Sequence, residues 1–209
     1  MTSIFTSVWR NPDRPVILAS QSPRRRDIMS LMGFDFEVMA PSVEDENVFF
    51  NGGTIGESLE ALAAAKAQSV SVKKPSALVL GADTIVCVEK AVLGKPAGKA
   101  EAAEMLGRLS GRTHSVYTSV ALLCAQCGFS ARATGETKVV FCKLSASDID
   151  DYLAREEYRD KAGAYAIQGR ALVFIDRIEG CYYNVVGLPV QKTIALFTAY
   201  MTRKDAHHA

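Results

Sequence analysis

Val16-Ile17-Leu18-Ala19-Ser20-Gln21-Ser22-Pro23-Arg24-Arg25-Arg26 decides how this chain begins to fold. The first four residues are a short apolar run of the kind a buried strand shows. Ser22 is a residue type that caps helices, and Pro23 suits a first helical position, so a helix starts directly after the strand. Ile28, Leu31 and Met32 give that helix its apolar face, and Gly33 stops it. A strand feeding straight into a helix opens a βα unit.

Outward from there, residues 34–39 alternate and read as a second strand. Glu44-Asp45-Glu46 and Asn51-Gly52-Gly53 make a polar loop. Thr54-Ile55-Gly56-Glu57 matches a capping box, and the helix behind it carries Ile55, Leu59, Leu62, Ala63, Lys66 and Val70 on one stripe. Residues 77–82 and 85–88 are strand-like and meet at Gly81-Ala82-Asp83-Thr84, with Glu89-Lys90 as the turn that follows. A helix over 100–109 ends at Ser110-Gly111. Two long β-rich runs, 114–125 and 132–144, join around Gly128 as a hairpin. Ser147 is expected to cap a helix carrying Ile149, Tyr152 and Leu153. Residues 161–169 lead to a strand at 171–175, and a last helix starts near Pro189. There is no repeat, linker or low-complexity tract. This mixture predicts an α/β fold, a mixed twisted sheet flanked by helices, in a single domain over 1–209 with a lobe boundary inside it.

The 209 residues are 48% hydrophobic and 22% charged with a mean hydropathy of +0.07, which fits a soluble globular chain and excludes a disordered one. No apolar run approaches the ~18 residues a membrane helix needs. Lys+Arg 24 against Asp+Glu 23 leaves +1, so no global field recruits nucleic acid or an anionic membrane. Affinity for phosphate has to come from locally placed cations. The cysteines, Cys87, Cys124, Cys127, Cys142 and Cys181, are odd in number and scattered, and read as reduced thiols. Cys124 and Cys127 form a CxxC, but no second pair follows and the histidines are His114, His207 and His208, so a four-ligand zinc site is not expected. Residues 1–14 have no continuous apolar core, so no signal peptide is expected and the expected location is the cytoplasm.

Five stretches could carry chemistry. Ser20 to Arg26 places three arginines at a helix start, where they oppose the helix dipole unless an anion sits there; the other reading is a solvated basic turn. Lys66 lies on an apolar stripe, from which it either snorkels to solvent or meets a negative partner. Asp83 follows small residues at an apparent strand end, suited to a metal or phosphoryl site and equally to an Asx turn. Lys95, in Gly94-Lys95-Pro96, is set in extended backbone by the proline, as a ligand or as an exposed turn lysine. Gln168, in the run 161–169, can donate and accept as a site residue or as a turn amide. His114 reads as a strand or turn histidine. Together these supply cations, carboxylates and a helix N-terminus, with no Ser/His or Cys/His nucleophile pair. That combination suits phosphate chemistry, where positioning and charge neutralisation dominate.

Leu18-Ala19-Ser20-Gln21-Ser22-Pro23-Arg24-Arg25, Gly81-Ala82-Asp83-Thr84, Gly94-Lys95-Pro96, Leu109-Ser110-Gly111-Arg112-Thr113-His114 and the run from Asp160 to Gly169 resemble, in order, the Maf family of nucleoside triphosphate pyrophosphatases. The resemblance spans 16–197 and leaves 1–15 as an N-terminal extension. It implies a fold similar to the inosine triphosphatases, two lobes around an active cleft, and hydrolysis of a nucleoside triphosphate to monophosphate and pyrophosphate with a divalent cation, Mg2+ or Mn2+. Carried over, Asp83 is the catalytic carboxylate and a metal ligand, and Arg24, Arg25, Lys66 and Lys95 bind phosphates. The family's second acidic residue falls by spacing at Asp45, or at Glu46 if the register slips by one.

The long Ala-Gly-Ala-Tyr-x-Ile-Gln-Gly form, with Val185-Val186-Gly187-Leu188-Pro189, resembles the branch acting on dTTP and UTP, whose specificity positions match Arg24, Thr84 and Gln168. A neutral amide can accept from the pyrimidine N3–H and donate to a carbonyl oxygen, and modified pyrimidine triphosphates would fit the same pairing. The alternatives are a broader house-cleaning triphosphatase for non-standard nucleotides and a nucleotide-binding regulator of septation. The resemblance also suggests a homodimer, although the sequence shows no self-complementary stripe.

Overall fold

In the computed structural model, which describes residues 12–43 and 53–207 (the backbone alone for 204–207), the opening apolar run is β1 (Val16–Ala19), buried at all four positions. Residues 1–11 of the expected extension lie outside the described residues. α1 (Pro23–Leu31) starts as predicted, with Pro23 in its first turn and Ser22 as an extended N-cap residue whose hydroxyl makes no capping hydrogen bond. Gly33 adopts φ +75° just past the helix, a left-handed position that suits glycine. β2 is only Glu37–Val38. The expected strand at 34–39 is shortened because Phe34 turns into the core and stacks on Phe197, ring centroids 4.5 Å apart.

α2 (Ile55–Ser71) opens with the expected capping box: Glu57 N–H donates to Thr54 Oγ1 at 3.2 Å and Thr54 N–H to Glu57 Oε2 at 2.9 Å. β3 (Leu78–Val88) is one strand of eleven residues, not two meeting at 81–84, so Asp83 sits within a strand and not at its end. The ladder with β1 continues through Ala19↔Gly81, and backbone pairing carries the strand across the small and polar residues that interrupt its apolar pattern. Glu89 and Lys90 both take positive φ in the two-residue turn to β4 (Ala91–Leu93), which pairs antiparallel with β3.

After α3 (Lys99–Leu109), β5 (Thr113–Cys124) and β6 (Phe129–Phe141) form the expected pair of long strands. α4 (Ala146–Leu153) is capped by Ser145, not Ser147. Each serine precedes an aspartate by three, and the reciprocal bonds form at Ser145 and Asp148. Residues 170–174 form a 3-10 turn, and β7 follows at Ile175–Glu179, displacing the strand expected at 171–175. The reason is the burial period: Ala171 and Phe174, three apart, face the core while Leu172 and Val173 are exposed, which matches a 3-10 turn and not an alternating strand. α5 (Tyr182–Val186) and α6 (Val190–His207) complete the chain.

The sheet runs β2-β1-β3-β5-β6-β7 with β4 on β3, parallel where β1 meets β2 and β3 and antiparallel at β3–β4 and β6–β7. It is the mixed, helix-flanked α/β architecture the sequence predicts. The described residues divide into two compact units, one from 12–43, 53–83, 118–135 and 187–207, the other from 84–117 and 136–186. Each has its own core. The first gathers Ile17, Ala63, Ala67, Val70, Val79 and Ala121; the second gathers Val86, Leu106, Leu109, Val139, Phe141 and Tyr165.

Cys124 and Cys127 are joined as a disulfide across the β5–β6 turn, which corrects the expectation of reduced thiols at this pair. Their Cα atoms lie 5.6 Å apart around the turn, within bridging reach. Cys87, Cys142 and Cys181 are free. Among the described residues no helix is long and apolar enough to cross a membrane.

Candidate active site

Gly81 sets the geometry of the first unit's polar cluster. Side chains alternate along β3, so Gly81 and Asp83 share one face. A Cβ added at Gly81 would overlap the carbonyl oxygen of Ala63 and come within 2.8 Å of Ala67 N, both on α2. The helix backbone therefore lies directly on the strand. Lys66, one residue before Ala67, then reaches along this contact and donates from Nζ to Asp83 Oδ1 at 2.6 Å. Both side chains are nearly buried, Lys66 with 10% and Asp83 with 15% of its side chain exposed. Lys66 does not snorkel.

Such a pair adds little net stability, because desolvation offsets attraction. Removing one partner of a fully buried pair costs about 3–5 kcal/mol, and this slightly exposed pair lies toward the lower end. A costly pair held in place by close helix–strand packing is a feature that folding alone does not demand. Asp83 Oδ2 engages no other described residue, which leaves a hard oxygen donor that fits an oxygen-preferring divalent cation.

Arg25, expected to bind phosphate, is anchored to the protein on two edges of its guanidinium. Nε donates to the carbonyl of Gly187 at 2.9 Å, and Nη1 to the carbonyl of Ala82 at 2.9 Å and to Ser20 Oγ at 3.1 Å. Ala82 precedes Asp83, so Arg25 ties the first turn of α1 to the strand segment that carries the carboxylate. The buried Ser20 hydroxyl also accepts from Ser22 N–H at 3.3 Å. Arg24 is half-buried in the same first turn, which contains no acidic residue. Three arginines at a helix start add to the positive end of its dipole instead of offsetting it.

The structure thus brings Arg25, Lys66 and Asp83 into one unit with the first turn of α1. Thr84, Lys95 and Gln168 belong to the second unit. Thr84 is half-buried on the opposite face of β3 from Asp83. Lys95 is exposed in the loop after β4, and Gln168 is exposed between the two 3-10 turns. The Gly163 N–H donates to the Gly94 carbonyl at 3.0 Å, which fastens the Lys95 loop to the segment leading to Gln168. Asp45 and Glu46 lie outside the described residues.

Sequence reading placed Ser20, Gly81 and Gly187 inside its motifs but gave none of them a role in this arrangement. A glycine inside an apolar strand signals close backbone approach, and Gly81 carried that signal. The carbonyls of Ala82 and Gly187 left none, since backbone acceptors are invisible in residue types.

The family model described as Maf-like protein matches residues 15–200. Among similar proteins, one of Symbiobacterium thermophilum named dTTP/UTP pyrophosphatase is 49% identical over 185 residues, covering 88% of this chain and 93% of that protein. Proteins of the same name from Desulforamulus reducens and Bacillus anthracis are 44% and 42% identical, over 86% and 87% of this chain and 93% of each relative. Among solved structures, the Staphylococcus aureus Ham1 protein aligns with a TM-score of 0.47 at 13% identity, covering 91% of this chain and all of that one, a distant likeness that decides nothing further. With a family match over nearly its whole length and relatives above 40% identity, the chain belongs to the Maf-like protein family.

Proposed function

We propose that this chain hydrolyses dTTP and UTP, and modified pyrimidine triphosphates of the same edge pattern, to the nucleoside monophosphate and pyrophosphate. The names of its relatives support the substrate class, and one observation carries the chemistry: a carboxylate, Asp83, held 2.6 Å from the ammonium of Lys66 in the unit where α1 presents its arginine-rich first turn. In-line displacement at phosphorus asks the protein chiefly for placement and charge neutralisation, and these residue types supply both.

Water attacks the α-phosphorus, and its proton passes to Asp83. The bond between the α-phosphorus and the oxygen that bridges it to the β-phosphorus breaks, and that oxygen leaves with the electron pair as part of pyrophosphate. Lys66, Arg24 and Lys95 offset the charge of the triphosphate, and Arg25 keeps its positive charge there while bracing α1 against β3. Asp83 would hold Mg2+ or Mn2+ together with Asp45 or Glu46, and the ion would supply charge neutralisation and a more acidic water. Thr84 and Gln168 face the nucleoside in this reading, with the amide of Gln168 pairing to the pyrimidine edge. The reading includes a cytoplasmic location, where nucleoside triphosphates are held, and a homodimer, which light scattering on the purified protein tests.

A panel of nucleoside triphosphates, assayed with Mg2+ and with Mn2+ for pyrophosphate against orthophosphate, tests this function. Pyrophosphate released fastest from dTTP and UTP is expected. Equal rates across purines would replace the pyrimidine reading with the broader house-cleaning one, and no pyrophosphate from any of them would refute the enzyme.

A further inference from the structure

Gln168 sits on a segment with little regular structure to hold it. Between α4 and β7 the chain makes two short 3-10 turns, and both Gly163 and Ala164 take positive φ, +68° and +61°. Positive φ is strained for alanine, so something outside the segment must fix it. Two contacts do so from the strand side. The Gly163 N–H is bonded to the Gly94 carbonyl, and its Cα lies against Val86, where an added Cβ would come within 3.0 Å of both methyl groups.

The third and central anchor is Tyr165. Its ring is 5% exposed and packs edge-on to Phe141, centroids 4.9 Å apart, and to His114, 5.4 Å apart. Its hydroxyl lies 2.8 Å from His114 Nε2. His114 belongs to β5, 2% exposed, and its Nδ1 finds no partner among the described residues. Burial pushes its pKa down to about 4 and that of Tyr165 up, so the pair is a neutral imidazole and a neutral phenol at pH 7. A buried ring nitrogen spent on one phenol, with the other left unpaired, is an expensive way to fill a core that a leucine would fill. It does give Tyr165 a single place and orientation.

We infer that His114 is a positioning residue for base selection: through Tyr165 it fixes the strained 163–164 bend and so sets where Gln168 stands. The inference rests on the proposal that Gln168 reads the base. Gly94 bonds to the same bend, so the pair also steadies the loop of Lys95, and losing it should raise KM for every triphosphate a little. Its distinctive effect is on discrimination.

The experiment measures kcat/KM for UTP and for GTP, together with the thermal melt, in His114→Leu, His114→Gln, Tyr165→Phe and Gln168→Ala. The expected result is a fall of about tenfold in the UTP/GTP ratio for Tyr165→Phe and His114→Leu, the equivalent of one misplaced hydrogen bond. His114→Gln, whose amide can reach the phenol, should recover most of the ratio. Loss of packing alone would lower the melt without moving the ratio. If Gln168→Ala lowers the ratio while folded Tyr165→Phe keeps it, the anchor is wrong and the reading of Gln168 stands. If Gln168→Ala leaves the ratio unchanged, that reading fails and this inference with it. Should His114→Leu not fold, Tyr165→Phe and His114→Gln decide the matter.

Discussion

Replacing Gly81 by alanine adds one methyl group at the tightest point between α2 and β3. The new Cβ would overlap the Ala63 carbonyl and meet Ala67 N at 2.8 Å, and both obstacles are backbone, which no rotamer change relieves. The helix must therefore move outward by a substantial fraction of an ångström. Overpacking of this kind costs about 1–3 kcal/mol, which for a chain of this size lowers Tm by roughly 2–12 °C. The same movement lengthens the 2.6 Å contact between Lys66 Nζ and Asp83 Oδ1, and misplacement by ~1 Å at a reacting centre can lower kcat about a hundredfold. The assay is a melt with pyrophosphate release from UTP at 10 °C, where the variant is folded. Gly107→Ala is the control: this exposed glycine lies within α3 with nothing within 4 Å of the added Cβ, so it should raise stability by up to about 1 kcal/mol and leave kcat alone. A Gly81→Ala protein with wild-type Tm and kcat would show that the close approach does not set the Lys66–Asp83 geometry. One with lowered Tm and full kcat would show that the helix can move without disturbing the chemistry.

Asp83→Asn should abolish turnover yet leave a folded protein, because the amide oxygen still accepts from Lys66 while charge and basicity are gone; more than a few per cent of wild-type kcat would make Asp83 structural. Lys66→Met keeps the stem packed on α2 and should lower kcat/KM for UTP by roughly 10²–10³, as loss of one preorganised charge does, with an unchanged value returning Lys66 to a packing role. His114 gives a pH prediction with a definite sign. Its folded pKa, about 4, lies below the ordinary 6.5, so between these values the unfolded chain binds a proton that the folded one does not. The stabilising contribution is complete above pH 6.5 and is lost as pH falls toward 4, about 3 kcal/mol in all. Urea unfolding at pH 7.5, 5.5 and 4.5 should show a shallower fall for His114→Gln than for wild type, and equal slopes would contradict a neutral buried imidazole.

Local signals carried the start of the fold. Pro23 in the first turn of α1, Thr54 with Glu57, and the paired turn residues Glu89 and Lys90 each act within four residues, and the structure uses all of them. Features set by distant neighbours were harder to read. β1 pairs alongside β3 as far as Gly81, so the strand does not end at the glycine, and residues 170–174 coil because the core takes Ala171 and Phe174 three apart. Ser145 and Ser147 offer the same capping pattern, so only the assembled loop chooses between them. The site divides in the same way. Residue types raised Arg25, Lys66 and Asp83 as candidates and the family resemblance gave them roles, but the 2.6 Å ion pair depends on a close approach across the α2–β3 contact. The bracing role of Arg25 depends on two backbone carbonyls, one of them 162 residues away in sequence.

In the proposed reaction water attacks the α-phosphorus and Asp83 receives the proton. Hydrolysis of UTP in water enriched in oxygen-18, followed by mass spectrometry of both products, tests it most directly, since attack at the α- or the β-phosphorus yields the same UMP and pyrophosphate. A single labelled oxygen in the phosphate of UMP is predicted, with unlabelled pyrophosphate. Label in the pyrophosphate would place the attack at the β-phosphorus and contradict the assigned chemistry of the site.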